Sequence, residues 1–455
     1  MPQPRQASPE VQQLLQEVLG SAAAAAAAAV PGALQQSGRA ASSAEYSRAA
    51  ASSSVAADTP GATRQSHLGA SSGEGPGTPP SSSSSGSSSG SSSSSSGSGR
   101  QWTLSEVELL LSSRGADMAA VVAAADALRA AVCGDDVSYV VNRNINYTNV
   151  CTYGCRFCAF SKGKASQELR GSPYLLPLEE ISRRTAEAWA RGATEVCLQG
   201  GIHPDFTGQT YLDILAACRA AAPGIHVHAF SPLEVMHGAS SLGISLADFL
   251  TQLKAAGLGS LPGTAAEVLD PAVRAVLCPD KLSAQQWLAV VAAAHSAGLA
   301  TSSTLMFGHV DSARHWASHL LQLRDLQACT GGITEFVPLP FVHMESPIYL
   351  AGAARRGPTL RECVLLHAVA RLVLHPLITN IQASWVKMGP QQAAQLLAAG
   401  CNDMGGSIMN ESITRAAGAL ICAGLKPCIC IMRHIHNIIF TCCRSTVVLK
   451  MNSSL

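Results

Sequence analysis

From Val137 onward, short β-prone runs alternate with stretches in which apolar residues recur every third or fourth position. Brief apolar runs bounded by turn residues suit buried strands, and the longer recurrent spacing suits amphipathic helices. The pattern predicts strands at Val137–Tyr147, Glu195–Gln199, His226–Phe230, Gly257–Leu261, Ala300–Phe307, Glu335–Leu339, Asn380–Trp385 and Asn402–Gly405. Helices are predicted between them at Leu178–Arg191, Tyr211–Ala222, Ser245–Ala256, Ala284–Ala297, Ala313–Ala328, Leu360–Leu374 and Gln391–Ala399, with proline or glycine at most boundaries. Thr103–Ala131 reads as two further short helices. Eight strand–helix steps are what an α/β parallel (β/α)8 barrel of the TIM type requires, although a doubly wound open sheet alternates in the same way. Gln199-Gly200-Gly201, Ser231-Pro232, Gly308-His309 and Gly405-Gly406 follow strand ends, the rim where a parallel barrel does its chemistry.

The flanks break this rhythm. Residues 1–100 are runs of Ala, Gly, Pro and Ser, with an unbroken Ala22–Ala29 and a Ser/Gly tract from Ser81 to Gly99. So little large apolar surface cannot offset chain entropy, and a disordered extension is expected there. N-terminal helices then occupy 101–136 and the barrel 137–418, leaving 419–455 as an atypical tail. In that tail Cys422, Cys428, Cys430, Cys442 and Cys443 crowd together without helical or strand period, and the expectation is an unstructured or abnormal terminus. Cys428 and Cys430, with His434 and His436 nearby, match no zinc-knuckle spacing.

The net charge of +1 across 455 residues gives no electrostatic case for nucleic acid or an anionic membrane. No run is apolar for long enough to span a bilayer. The N-terminus lacks the pattern of a secretory signal, so a cytoplasmic location is expected, with plastid or mitochondrial import as the alternative. Scattered arginines in an Ala/Ser-rich leader favour import, whereas Glu10, Glu17, Glu45 and Asp58 oppose it. Without a secretory signal, 15 cysteines point to thiols and metal ligands, not to disulfides.

Cys151, Cys155 and Cys158 stand as C-x3-C-x2-C just past the first strand, within NRNINYTNVCTYGCRFCAFSKGK from Asn142. Three thiolates in one loop can converge on one metal centre. A structural zinc site normally wants four protein ligands, and no second knuckle follows in the barrel segment. Three suit a 4Fe–4S cluster with one iron left open for a small molecule. Gly154 lets the loop fold tightly, and Phe157 can shield the metal from water. The competing readings are a zinc site and three unrelated core thiols, the latter disfavoured by Gly154 and Arg156 between them.

The loop resembles that of the radical S-adenosylmethionine (radical SAM) superfamily. NRNINYTNVCTYGCRFCAFSK, LQGGIHPDFTGQTYLDILAACRAAAPGIHVHAFSPLEV, LKAAGLGSLPGTAAEVLDPAVRAVLCPDK and NDMGGSIMNESI are similar, over about Leu104–Ala417, to the CofH-type subunits of FO synthase. Menaquinone-pathway radical enzymes are relatives with similar cluster loops and are the main competing reading. The resemblance implies a barrel holding a 4Fe–4S cluster on Cys151, Cys155 and Cys158, with S-adenosylmethionine on its open iron. It implies that Gly200 and Gly201 meet the methionyl amino group, and that Phe157, Ser260, Gly263, Thr264, Glu267 and Thr304 surround the cofactor, with Ser302 and Met306 near the adenosyl group. An acidic residue usual after the glycines is replaced by Ile202, so backbone carbonyls are expected to serve instead.

The implied substrates are L-tyrosine and 5-amino-6-(D-ribitylamino)uracil, the implied partners a ferredoxin- or flavodoxin-type reductant and a separate CofG-type enzyme. Hydrogen abstraction from tyrosine would break its Cα–Cβ bond, and the 4-hydroxybenzyl fragment would add to C5 of the uracil, leaving 2-iminoacetate. His228, Asn380 and Gln382 are the expected substrate-pocket residues, with His203, Asp205, Ser384 and Trp385 also on the rim and His309 and His343 as weaker candidates. The alternatives are a menaquinone-pathway radical enzyme and a truncated, non-catalytic cluster-binding protein.

Overall fold

The computed structural model describes residues 6–28, 100–162, 172–406, 409–410, 412–418 and 448–451. Seven parallel strands run in sequential order: β2 Asn142–Asn146, β3 Glu195–Gln199, β4 His226–Ala229, β5 Ser260–Leu261, β6 Ala300–Phe307, β7 Ile333–Pro340 and β8 Asn380–Ile381. The segment holding β9, Asp403–Gly406, closes the ring, because Asp403 bridges Gln382 beyond β8 while Met409 bridges Arg143 on β2, both in parallel. The expected barrel is therefore present, and its eighth staff is irregular.

Side chains alternate along each strand, one face to the helices and one to the lumen. On β2, Ile145 packs in the outer core, whereas Asn142 and Asn144 face the lumen. On β4, Val227 and Ala229 are fully buried against helices, which sends His228 inward. Most predicted helices are present within a few residues of their expected ends. Two barrel helices longer than one turn were missed, Pro232–Leu242 and Pro271–Leu277, each opened by a proline at its first turn and a Ser or Asp cap.

Three expectations need correction. The long strand Val137–Tyr147 is broken at Val141, where β1, Asp136–Val140, separates from β2 and pairs with β9 and with β10, Val448–Met451. Residues 9–28, placed in a disordered extension, form a helix whose Val11, Leu14, Leu15 and Val18 are buried with Val107 and Val121 of the next helices. That short apolar stripe precedes the polyalanine and is enough to dock one helix. In the tail, Val448–Met451 forms β10, in parallel register with β1 from Asp136↔Val448 to Tyr139↔Met451. The remaining expectations for 29–99 and 419–447, including Cys428 and Cys430, concern segments outside the described residues.

Candidate active site

The cysteine loop leaves β2 through Tyr147 and is pinned from three directions. Arg156 donates its peptide N–H to Leu277 O at 2.8 Å, and the Gly154 N–H reaches Asp280 Oδ2 at 2.7 Å. Ile348 N–H in turn reaches Arg156 O at 2.7 Å. Within the loop, Cys158 N–H closes a turn on Cys155 O at 3.1 Å. Cys151, Cys155 and Cys158 all border one cavity at the mouth of the barrel and form no disulfide among the described residues.

The end of β3 is built against this loop. Ile202 N–H donates to Cys151 Sγ at 3.3 Å, and Ser161 N–H to Cys158 Sγ at 3.3 Å. Gly201 cannot be otherwise: a Cβ there would lie 2.1 Å from Val150 O. A Cβ on Gly200 would lie 2.2 Å from the Tyr147 ring. Burial pushes the Cys155 thiol up, with Lys281 pulling it partly back, and burial likewise raises Cys158. Such thiols ionise readily only when a cation replaces the proton. Three sulfurs on one wall, two of them receiving peptide N–H groups, fit a cluster with an open iron.

Beside the loop, Lys281 Nζ is 2.7 Å from Glu267 Oε1 and sits over the Phe157 ring, 5.6 Å from its centroid. Burial opposes the Lys281 charge, but Glu267, Cys155 and Cys278 push its pKa up overall. Phe157, Gly200, Gly201, Thr264, Glu267, Thr304 and Met306 line the same cavity. Thr304 Oγ1 donates to Gly263 O at 2.6 Å, whereas the buried Thr264 Oγ1 has no hydrogen-bond partner among the described residues and is placed to meet a ligand.

Deeper in the lumen, a second cavity shares Gln199, Thr264, Thr304 and Leu339 with the first. His228, Gln382, Ser302, Ser384 and Trp385 border it, together with the carboxyl groups of Glu195, Glu335 and Asp403. Burial raises all three carboxyls, Asp403 to about 6.

Several expected site residues line neither cavity, Ser260, Gly263 and Asn380 among them. Ser260 is 2% exposed and is held between His226 and His228. Asn380 is taken up by Thr334 O and Asn402 Nδ2, at 3.2 and 3.0 Å. Both sit on two-residue strands, too short for alternation to tell lumen from core. His203, Asp205, His309 and His343 also lie off the cavities; His309 is spent on Met306 O and the Val310 N–H.

Besides the lumen carboxyls Glu195, Glu335 and Asp403, two residues of the cofactor cavity were missed. Lys281 has no sequence signal beyond following Pro279-Asp280. Glu234, on the unforeseen helix, lines the upper cavity and takes the Gly200 N–H at 3.3 Å. The next βα unit thus places an acidic side chain beside the glycine turn.

Residues 145–323 match the model of the radical SAM superfamily, and 330–429 that of the CofH/MqnC C-terminal region. The chain is 51% identical over 317 residues to FO synthase of Streptomyces coelicolor, covering 70% of this chain and 36% of that one. It thus spans about a third of the FO synthases it matches. It is 50% identical over 307 residues to the 5-amino-6-(D-ribitylamino)uracil–L-tyrosine 4-hydroxyphenyl transferase of Methanopyrus kandleri, covering 68% of this chain and 82% of that one. Among solved structures, methylornithine synthase (PylB) aligns with a TM-score of 0.58 at 18% identity, covering 74% of this chain and 93% of that one. The hydrogenase maturase HydG of Carboxydothermus hydrogenoformans aligns at 0.56 and 15%, covering 75% of each. These two likenesses concern the fold alone.

Proposed function

The chain belongs to the radical SAM superfamily, in the family of the 5-amino-6-(D-ribitylamino)uracil–L-tyrosine 4-hydroxyphenyl transferases, and from that premise we propose that it joins the 4-hydroxybenzyl group of L-tyrosine to that uracil in deazaflavin biosynthesis. The observation that carries this reading is the continuity of two cavities, one walled by Cys151, Cys155 and Cys158, the other by polar lumen residues.

Cys151, Cys155 and Cys158 hold a 4Fe–4S cluster, and Gly200, Gly201, Thr264, Glu267 and Thr304 receive S-adenosylmethionine. What these groups supply when bound is a 5′-deoxyadenosyl radical able to abstract a hydrogen atom. The chain's own work is placement. The bare Gly200–Gly201 backbone admits the methionyl group, and Glu234 offers a carboxylate for its amino end. Leu339, Pro340 and Phe341 close an apolar wall that excludes water from the reacting centre. Gln382, Ser384 and His228 present donors and acceptors to a ribityl pyrimidine below. An external reductant of ferredoxin or flavodoxin type delivers the electron, and a separate CofG-type enzyme completes the ring.

Anaerobic reconstitution with iron and sulfide, followed by tyrosine, the ribityl uracil and S-adenosylmethionine, tests this. The expected products are 5′-deoxyadenosine and an adduct carrying the 4-hydroxybenzyl mass. Deoxyadenosine without the adduct would remove the substrate assignment, and a chain that binds no cluster would remove the enzyme reading.

A further inference from the structure

Two histidines of β4 share one hydroxyl. His228 Nδ1 lies 2.7 Å from Ser260 Oγ, and His226 Nε2 lies 2.8 Å from the same oxygen. The β4–β5 register sets His228 opposite Ser260, and His226, two residues earlier, falls on the same face. Room for the second ring comes from Gly259, where a Cβ would lie 2.4 Å from His226 Cε1. His228 lines the lumen cavity, whereas Ser260 and His226 stand behind it. A serine hydroxyl carries one proton, so at most one of its two hydrogen bonds is donated, and the relay state is the one in which the other is accepted. The array is therefore directional, and reversing it moves one proton from one end to the other.

We propose that His228, Ser260 and His226 form a proton relay that removes one proton from the substrate bound in the lumen. The proposal rests on the function assigned above, so the donor is an N–H acid of the amino acid or the pyrimidine. His228 touches the substrate; Ser260 and His226 are positioning residues. At the start, His228 Nδ1–H donates to Ser260, and Ser260 donates to His226 Nε2. The substrate N–H bond breaks, leaving its electron pair on nitrogen, and a bond forms from the proton to His228 Nε2. The Nδ1 proton passes to Ser260 Oγ, and the former hydroxyl proton passes to His226 Nε2. No electrons are transferred, and His226 ends as imidazolium.

The surroundings favour that direction. Glu195 of β3 faces His226 and is held by Asn142 Nδ2 at 3.0 Å, with Cys197 beside it opposite His228. Glu335 of β7 and Asp403 of β9 add two further carboxyl groups, both raised by burial, around the lumen, and Lys387 is the one lysine or arginine lining it among the described residues. Burial holds His228 down to about 4 with nothing to offset it. Burial and the His228 ring also lower His226, but Glu195 pulls against that fall, a counterweight His228 lacks.

The test uses the reconstituted holoenzyme with Ser260→Ala, which keeps both rings, and Ser260→Thr, which keeps the hydroxyl. The expected result for Ser260→Ala is a fall in kcat for the adduct of about tenfold or more, with little change in KM and a displaced pH profile. Ser260→Thr should restore most of the rate and the original profile. In 15N spectra of the histidine-labelled protein, Ser260→Ala should shift the ring signals of His226 and His228 together. Equal impairment of both variants, an unaltered pH profile, or uncoupled ring signals would overturn the relay. So would a stoichiometric divalent ion retained by Glu195, His226 and His228, whose donor atoms lie within 4.8 Å of one another. If wild type gives no adduct while the ring signals still respond together, the substrate assignment fails and the hydrogen-bonded array stands.

Discussion

The phenol hydroxyl of Tyr147 donates to Glu234 Oε1, the same oxygen that the Gly200 N–H approaches at 3.3 Å. The other carboxylate oxygen takes the Ser231 N–H at 2.7 Å. One buried acid thus ties the end of β2, the glycine turn after β3 and the helix after β4 into a single wall of the cofactor cavity. Burial pushes the Glu234 carboxyl up, and the hydrogen bonds from Ser231, Tyr147 and Gly200 pull against that rise.

Glu234→Gln keeps the shape and removes the charge. It is expected to weaken S-adenosylmethionine binding by about tenfold, the scale of one charge-assisted hydrogen bond. Tyr147→Phe leaves the carboxylate short of a donor and should cost about 1–3 kcal/mol of stability. Equilibrium dialysis of the cluster-loaded protein and denaturant unfolding read the two effects. Unchanged cofactor affinity in Glu234→Gln would remove the acid from the binding wall.

The glycines make a steric prediction. Gly201→Ala places a methyl group 2.1 Å from a backbone oxygen of the cysteine loop, which cannot swing aside as a side chain can. Gly200→Ala meets only the Tyr147 ring, at 2.2 Å. Iron content after reconstitution should fall strongly in Gly201→Ala, and less in Gly200→Ala. Cys278→Ala, outside both cavities, should retain the wild-type content. Full iron loading of Gly201→Ala would show that the loop does not depend on this packing.

What the sequence revealed and hid follows from the range of each signal. The cysteine loop and Gly200–Gly201 are local patterns whose spacing carries their chemistry, and the long strands β3 and β6 show their residue types without help. Glu234 was legible only as a helix-capping acid: Ser231-Pro232-Leu233-Glu234 is a capping-box sequence, and the box is indeed formed. Nothing local says that Tyr147, 87 positions earlier, reaches the same carboxylate. Ser260 and Asn380 failed for want of length, since a two-residue strand has no period. The pairing of β10 with β1 joins residues more than 300 apart, beyond any periodicity argument.

The N-terminal helix offers a stability prediction. Leu14 and Leu15 are each 6% exposed, and Val11 is fully buried. Leu14→Ala should cost about 2–4 kcal/mol if the helix is part of the cooperative unit. Urea unfolding followed by circular dichroism measures this. A change below about 0.5 kcal/mol, the scale of a surface substitution, would mean that the helix is not docked in solution.

Acid sensitivity follows from two histidines that have no part in the proposed chemistry. His319 and His367 are fully buried, and burial lowers them to about 3 and about 4. His319 Nδ1 accepts the Leu269 N–H at 3.0 Å, which requires that nitrogen to be unprotonated. In the unfolded chain a histidine takes up its proton near pH 6.5. Between that pH and the folded values the unfolded state binds more protons, so stability is highest above about pH 6.5 and falls as the pH drops toward 4. The loss amounts to roughly 3 kcal/mol for each histidine at the acid end of that window. His319→Gln can still accept the Leu269 N–H and does not titrate, so its unfolding free energy should vary less between pH 7 and pH 4 than that of the wild type. Parallel denaturant titrations across that range decide the matter, and equal slopes for the two proteins would refute the assignment of acid lability to His319.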